Sequence, residues 1–436
     1  MRNKWIIAIV IAAAILSFLP YWISAPPFKQ LIISILQQKY EAKLAVDHLR
    51  FSWLGPQRII GVKITTPELN GTFDEIDANS PFWAIGKNYT LIGGNLQVPQ
   101  SSASFENIQA TIVGFKIDAT GTTRSNAGTG KFSVQGTAID QNQFNLTFGI
   151  TGMPTAIVDW LLKMRGFLQS SIGSMFSLKG TASMQNGSGN VDLNLVSDTT
   201  TASVTASFTP DAITLTKPVV ANFKLTPEMS LALSQNTVAV TGQDPIVLKI
   251  SSNGFYFPRP FSLDKLKIGT ASLEMGRIRL QNANYLSGLS VFLKTKKFDS
   301  NQVDAWLNEA AFSFDQGRLE LERTDVLLAN SIHLCGWGQT DVTRQTLDMI
   351  LGVPADTLSK SFGIKNLSKN FVLQIPVAGT YKDPQFDASA ATAKIAAIVA
   401  AGQVQKQGGV LGGIAGIASK AAQQSAPKPK PFPWDQ

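Results

Sequence analysis

The sequence predicts a mainly β protein whose strands pair in antiparallel fashion. Apolar and small polar residues alternate in many short segments, and few segments have helical periodicity. Stretches rich in Gly, Ser, Thr and Asn separate the alternating segments. A period of two places the apolar side chains on one face of a sheet and the polar ones on the other. Because short strands with few helices between them are typical of antiparallel architectures, we expect an elongated antiparallel sheet with a few short amphipathic helices.

The composition indicates an unusually apolar chain. Of its 436 residues, 44% are hydrophobic and 16% are charged, whereas a soluble domain carries about 25% charged residues. This apolar surplus requires either a large core or an apolar surface that faces a ligand. The net charge of +8 comes without a block of consecutive Lys and Arg. Nucleic acid is therefore not an expected partner. Weak attraction to anionic membrane surfaces explains the positive net charge better.

The first residues of the chain predict a membrane anchor. From Trp5 to Ile23 the sequence is apolar and uncharged, and Arg2 and Lys4 precede it. About 20 helical residues cover the ~30 Å hydrocarbon core of a bilayer. A cleaved signal peptide is the alternative, since Pro20 interrupts the segment. We expect a retained transmembrane helix over residues 1–25, with the rest of the chain across the membrane in either case.

The segment after the anchor predicts one helix and then a strand pair. Phe28 to Leu44 carries apolar residues at helical spacing, which indicates an amphipathic helix. Ala45 to Pro67 is rich in β-branched and aromatic residues and is divided by Leu54-Gly55-Pro56. This pattern predicts two strands joined by a tight turn.

Strictly alternating segments supply the candidate ligand-binding residues. Phe144 to Ile150 is the clearest case, since every second residue is apolar. If the apolar face binds a ligand, these side chains line the binding surface, and if it is a core, they pack against one another. The candidates are Phe132, Val134, Phe144, Leu146, Phe148, Ile150, Val191, Leu193, Leu195, Leu373 and Ile375.

Several other segments have distinct predictions. Thr120–Lys131 is rich in Gly, Ser, Thr and Asn and predicts a long loop or hairpin tip. Proline suits the first turn of a helix, so helices are predicted from Pro154 to about Phe176, from Thr226 to Leu233 and from Val353 to Phe362. A further short helix, capped by Asp299-Ser300, is predicted through Glu309.

The C-terminal part of the chain has a different composition from the body, which we assign to residues 26–387. Ala388 to about Gln424 is rich in Ala and Gly and predicts helix in two pieces. Pro427–Pro433 predicts a stiff, exposed tail. If a ligand moves along the sheet, residues 388–436 are the expected contact with a second membrane or an outer-membrane protein. A helix folded back over the end of the sheet is the alternative.

No constellation of residues predicts an enzyme, a cofactor or a metal site. His333 and Cys335 share a strand face, but two ligands do not complete a zinc site. Glu320 and Glu322 are also same-face neighbours, and a solvated sheet face explains them better than an acid–base pair. We predict no catalytic residue and no cofactor.

Both ends of the body resemble a known family. Residues 46–64 follow the pattern V-D-x-L-x-F-S-W-x-G-P-x-x-I-x-G-V-x-I. Residues 375–384 follow I-P-V-x-G-T-x-x-D-P, and residues 336–347 follow G-x-G-x-x-D-x-x-x-x-x-L. These motifs resemble the AsmA-like family, which consists of inner-membrane-anchored periplasmic proteins related to the TamB group.

The resemblance implies a function without bond chemistry. It implies a taco-shaped β-groove that carries phospholipid acyl chains, in a single-pass protein of the bacterial inner membrane with its body in the periplasm. The expected role is to hold or transfer phospholipid between membranes of the cell envelope. The alternative is a scaffold or assembly factor for outer-membrane proteins, in which the apolar face is a filled core.

Overall fold

The fold was analysed in a computed structural model, which describes most of the chain between residues 43 and 435. The described residues are 30, 33–34, 37, 43–52, 55–66, 70–81, 88–97, 103–140, 142–161, 167–233, 239–281, 293, 302–364, 367–381, 383–406 and 426–435. They form two compact units, unit 1 (Met1–Asp198) and unit 2 (Thr199–Gln436).

Unit 1 contains ten strands and two short helices among its described residues, and residues 30, 33–34 and 37 are helical as well. Its strands are β1 (Lys43–Arg50), β2 (Gln57–Thr65), β3 (Asn70–Ala78), β4 (Asn88–Gln97), β5 (Ser104–Val113), β6 (Lys116–Ser125), β7 (Gly128–Asp140), β8 (Gln143–Pro154), β9 (Met175–Gln185) and β10 (Ser188–Ser197). Its helices, α1 (Thr155–Leu161) and α2 (Phe167–Ile172), lie between β8 and β9.

The sheet of unit 1 is an antiparallel meander, since each strand pairs with the next one along the chain from β1 to β10. Tight turns join several pairs. Between β9 and β10, Asn186 and Gly187 have φ of 52° and 79°. Two consecutive residues with positive φ match the right-handed twist of the flanking strands, and Asn-Gly adopts that conformation at little cost.

Unit 2 contains fifteen strands among its described residues. They are β11 (Thr200–Phe208), β12 (Ala212–Leu215), β13 (Val219–Phe223), β14 (Ala239–Gly242), β15 (Ile246–Ile250), β16 (Phe257–Pro258), β17 (Lys267–Glu274), β18 (Gly276–Gln281), β19 (Gln302–Leu307), β20 (Ala310–Asp315), β21 (Arg318–Leu328), β22 (Ile332–Asp341), β23 (Thr346–Pro354), β24 (Val372–Thr380) and β25 (Pro384–Phe386). Helices α3 (Pro227–Leu233), α4 (Ala355–Phe362) and α5 (Ala388–Lys406) and a 3-10 turn (Pro433–Asp435) complete the unit.

Many short strands of unit 2 are parts of longer, interrupted strands. For example, β12 and β13 both pair with β11, and β19 and β20 both pair with β21. In the same way β14 pairs with β18 while β15 pairs with β17. With the parts joined, unit 2 is also an antiparallel meander that ends at β25.

The strand pair predicted over residues 45–67 is confirmed, since β1 and β2 are antiparallel partners. The short helices predicted after Thr226 and Val353 are confirmed as α3 and α4, and α5 covers the first part of the predicted C-terminal helix. The helix predicted from Pro154 is present as α1 and α2, with β8 ending at Pro154 and β9 beginning at Met175.

Three other predictions for local structure hold only in part or are wrong. Thr120–Lys131, predicted as a long loop or hairpin tip, is a hairpin tip, since β6 and β7 pair up to a turn at residues 126–127. The threonines of β6 are β-branched and find partners on both neighbouring strands. The helix expected up to Glu309 is wrong: β19 replaces it, because pairing with β18 and β21 overrides its helical signal. The helix predicted from Phe28 is present at the described residues 30, 33–34 and 37, but it ends before Leu44, which belongs to β1.

The predicted anchor, Trp5–Ile23, lies outside the described residues. In the part of the chain that is described, no helix combines the length and the apolar character that crossing a membrane requires.

Candidate functional site

Strand register brings apolar residues of all ten strands of unit 1 into a single row. Each member of this row is the direct cross-strand partner of the next. In strand order, the row is Leu49, Ile59, Ile76, Leu91, Ala110, Ala119, Val134, Phe148, Gly180 and Leu193. Across nine spacings of about 4.8 Å the row extends over roughly 43 Å.

A second apolar row runs beside the first on the same face, two residues along each strand. It covers β3 to β10 and consists of Ala78, Tyr89, Ile112, Ile117, Gly136, Leu146, Ala182 and Val191. We call these two rows the apolar face of unit 1. Direct cross-strand neighbours lie close enough for their side chains to contact, so the two rows form a continuous apolar surface.

The opposite face of the same sheet carries a continuous polar row. One residue away from each member of the first apolar row lies a polar side chain, and these side chains also form a register row. They are Arg50, Arg58, Asp77, Thr90, Thr111, Asp118, Gln135, Thr147, Thr181 and Asp192. The two faces therefore differ along these rows, although the polar side also carries exposed apolar residues, among them Ile60, Val113 and Val196.

The apolar face of unit 1 is neither a packed core nor an open surface. All ten members of its first row are half-buried, and so are seven of the eight members of the second, Ala78 being buried. A second layer packed over them would bury large side chains such as Phe148 and Leu193 completely. Neighbouring side chains of the two rows shield one another in part, and each keeps some surface that a ligand can contact.

The structure places nine of the eleven sequence-predicted residues together. Each of these nine is half-buried, and strand pairing puts them all on the apolar side of β7, β8 and β10. The nine are Phe132, Val134, Phe144, Leu146, Phe148, Ile150, Val191, Leu193 and Leu195. Of these, Ile150 and Leu195 lie at one edge and also contact a small core.

Helices α1 and α2 close one side of the apolar face. Ile157 of α1 is 1% exposed and packs with Met153 and Phe176 in a small core. Ile150 and Leu195 pack against this core from the sheet. The helices thus cover the margin of the face and leave its two central rows half-buried.

The remaining two predicted residues lie in a packed core of unit 2. Leu373 and Ile375 of β24 are each 1% exposed. They belong to a cluster that includes Leu358 of α4 and Ile395 of α5. Their placement corrects the expectation that they line a binding surface, because helices cover this part of the sheet and leave no room for a ligand.

Comparison of the chain with known proteins adds no relative. No family model, no curated protein and no solved structure matches it.

A cluster of charged residues lies on the other side of unit 2. The guanidinium of buried Arg323 binds Asp325 through both carboxylate oxygens, with Nη2 to Oδ1 at 2.7 Å and Nε to Oδ2 at 3.0 Å. His333 Nε2 lies 2.9 Å from Asp325 Oδ1, and its Nδ1 lies 3.2 Å from Asp356 Oδ1. Asp325 is 0% exposed, so its charge depends on these partners.

The two carboxylates hold His333 in its charged form. Burial by itself would lower the pKa of His333, but the hydrogen bonds to Asp325 and Asp356 and their negative charges together raise that pKa to about 9. Burial would raise the pKa of Asp325, yet the hydrogen bonds from His333 and Arg323 outweigh it and lower that pKa. At neutral pH the cluster therefore contains two positive and two negative groups.

Cys335, the register partner of Asp325, is a poor nucleophile in this setting. It is 1% exposed, and burial raises the pKa of its thiol to about 12. Reactive thiols need a lowered pKa and access to solvent. Cys335 therefore lacks both properties of a reactive thiol.

Sequence reasoning missed both the full extent of the apolar face and the charge cluster. In β1 to β6 the apolar residues alternate over shorter segments that glycines and bulges interrupt, so the signal was weak. The cluster combines residues that lie as far apart in sequence as Arg323 and Asp356, and no local pattern links them.

Proposed function

We propose that unit 1 holds the acyl chains of phospholipid on its apolar face, and that the chain holds or transfers phospholipid at the cell envelope, as its AsmA-like motifs imply. The observation that carries the proposal is the uninterrupted apolar row from Leu49 to Leu193, opposed by an equally uninterrupted polar row. A sheet with one apolar face must cover that face with a second layer, by closure, or with an apolar ligand.

The energetics favour this use of the surface. Each buried CH₂ contributes about 0.8 kcal/mol, so a two-chain lipid with ~30 methylenes loses roughly 24 kcal/mol when its chains enter water. Transfer through an aqueous space is therefore slow unless the chains stay covered. The apolar face of unit 1 offers such cover over roughly 43 Å, and it needs no bond chemistry or cofactor.

Photo-crosslinking at two adjacent residues tests the proposal. A photoreactive amino acid replaces Leu146, which lies on the apolar face, or Thr147, which lies on the polar face. We expect lipid adducts, detected by mass spectrometry of the purified protein, at position 146 and not at position 147. Because the two positions are neighbours in the same strand, they differ chiefly in the face of the sheet on which they lie.

Two results would contradict the proposal. Equal labelling at both positions would indicate nonspecific contact with lipid, and no labelling at either would indicate that the face does not bind lipid. Extraction of the unlabelled protein with organic solvent provides an independent measurement, since a bound phospholipid co-purifies and a filled core yields none.

A scaffold or assembly factor for outer-membrane proteins is the second candidate, and unit 2 favours it. There, α4 and α5 cover part of the sheet, and Val353 and Leu358 are 0% exposed within a packed apolar cluster. A unit whose apolar side is filled in this way supports partner binding through its outer surface. Absence of co-purified lipid would favour this candidate over lipid holding.

A further inference from the structure

Four consecutive strands of unit 2 are interrupted side by side. Residues 243–245 separate β14 from β15, Met275 separates β17 from β18, and residues 308–309 separate β19 from β20. In β21 the register shifts between Leu321 and Thr324. Because the flanking segments are cross-strand partners, the interruptions adjoin one another and form a groove across the sheet. We call it the interruption groove.

The C-terminal residues 426–435 lie along this groove. Most of the tail is exposed, as predicted, but Lys430 is half-buried and Phe432 is buried against the sheet. Arg323 Nη1 donates a hydrogen bond of 2.8 Å to the carbonyl oxygen of Pro427. Asn308 Nδ2 donates one of 2.9 Å to the carbonyl oxygen of Lys430. Both hydrogen bonds are accepted by backbone oxygens, so they do not depend on which side chains the extended segment carries.

Asn308 can bind the tail because the strand is interrupted there. Its own backbone N–H donates to the carbonyl oxygen of Asp325 at 3.1 Å, and its Oδ1 accepts from the backbone N–H of Asp325 at 2.8 Å. These two bonds fix the side-chain amide, and its Nδ2 is left pointing to the tail. The charge cluster fixes Arg323 in the same way, through Asp325.

Two side chains of the tail give the contact its selectivity. Lys430 Nζ lies 3.4 Å from Glu309 Oε2 and 3.9 Å from Glu322 Oε2. Phe432 is 6% exposed, and its ring centroid lies 5.5 Å from that of His333 in an edge-to-face contact. Lys428, by contrast, is exposed.

The groove is larger than the segment that occupies it. A cavity of about 570 Å³ remains beside the tail, lined by Asp244, Gly276 and Trp306 of the sheet and by Pro433 of the tail. Trp434 contacts Trp306 at 5.1 Å between ring centroids but is itself 54% exposed. Segments that belong to a protein core are packed without cavities of this size. The tail therefore resembles a bound peptide more than a core segment.

We propose that the interruption groove is a peptide-binding site for an extended segment of a partner protein that contains prolines, a lysine and an aromatic residue two positions after it. Residues 426–435 occupy this site as a ligand in cis. In this site Arg323 and Asn308 donate hydrogen bonds to backbone carbonyls of the peptide. Glu309 pairs with its lysine, and His333 contacts its aromatic ring. A partner must displace the attached tail, which competes at a high effective concentration.

A labelled peptide with the sequence of residues 426–436 tests the proposal against the full-length chain. In one protein the tail is natural, and in the other it carries Phe432→Ala and Trp434→Ala, which weaken docking in cis without altering the groove. We expect saturable peptide binding to the variant, measured by fluorescence anisotropy, and at least tenfold weaker binding to the natural protein.

Peptide variants supply the matched control, since they cannot affect folding of the protein. Lys430→Ala or Phe432→Ala in the peptide is expected to weaken binding to the variant protein at least tenfold, and Lys428→Ala is expected to leave it unchanged. Three outcomes overturn the proposal: no binding to the variant protein, equal effects of Lys428→Ala and Lys430→Ala, or dimers of the natural protein that dissociate on addition of peptide. The last would assign the groove to the tail of a second copy.

Discussion

Charge on His333 is expected to stabilise unit 2 in a strongly pH-dependent way. The perturbation is His333→Gln, which keeps a hydrogen-bond donor but cannot titrate. In the folded protein the pKa of His333 is raised from 6.5 to about 9. A group whose pKa is higher in the folded than in the unfolded state contributes stability that is complete below the unfolded pKa. That contribution is lost as the pH rises through the folded pKa.

The magnitude follows from the two pKa values. One pKa unit corresponds to about 1.4 kcal/mol, so a folded pKa of about 9 gives an upper value of roughly 3 to 4 kcal/mol well below pH 6.5. Linkage leaves roughly 2 to 3 kcal/mol at pH 7 and almost nothing at pH 10. The side chain is 19% exposed, so solvent screening reduces these values only in part.

Urea denaturation between about pH 6 and pH 10 measures the effect. We expect the free energy of unfolding of the natural protein to exceed that of His333→Gln by most at pH 6 to 7, with the difference vanishing near pH 10. His48→Gln is the matched control, because His48 is an exposed residue of unit 1. If the free energies of unfolding of the natural protein and of His333→Gln differ by the same amount over this whole pH range, His333 is not charged in the folded protein at neutral pH.

Two further predictions concern the apolar face and the anchor. A Cβ added to Gly180 would lie 2.3 Å from the backbone oxygen of Asp192, whereas one added to Gly149 would meet only Ser133 Oγ at 3.4 Å. Gly180→Ala should therefore destabilise the protein by about 1–3 kcal/mol and Gly149→Ala by less than about 0.5 kcal/mol in thermal unfolding; equal effects would contradict the close strand approach. If residues 5–23 form the proposed anchor, alkaline phosphatase fused after Ile60 should be active, and N-terminal sequencing of the mature protein should not begin near Pro26.

Local alternation in the sequence was sufficient to determine which side chains share a face of the sheet. Phe144 to Ile150 alternate strictly, and the structure places them together with Val191 and Leu193. A strand's side chains point to opposite faces in turn wherever the strand lies, so this property needs no knowledge of the fold. The short proline-initiated helices α3 and α4 were predictable for the same reason, since proline at a first turn is a local signal.

Only the tertiary structure decided what covers each face. Leu193 and Leu373 are each followed by one polar residue and then by another apolar one, yet Leu193 is half-buried in unit 1 and Leu373 is 1% exposed beneath α4 and α5. Coverage depends on elements distant in sequence, which a local pattern does not contain. The same holds for the C-terminal tail: prolines and lysines predict an exposed segment, and it is the interrupted strands carrying Asn308 and Arg323 that provide its binding site.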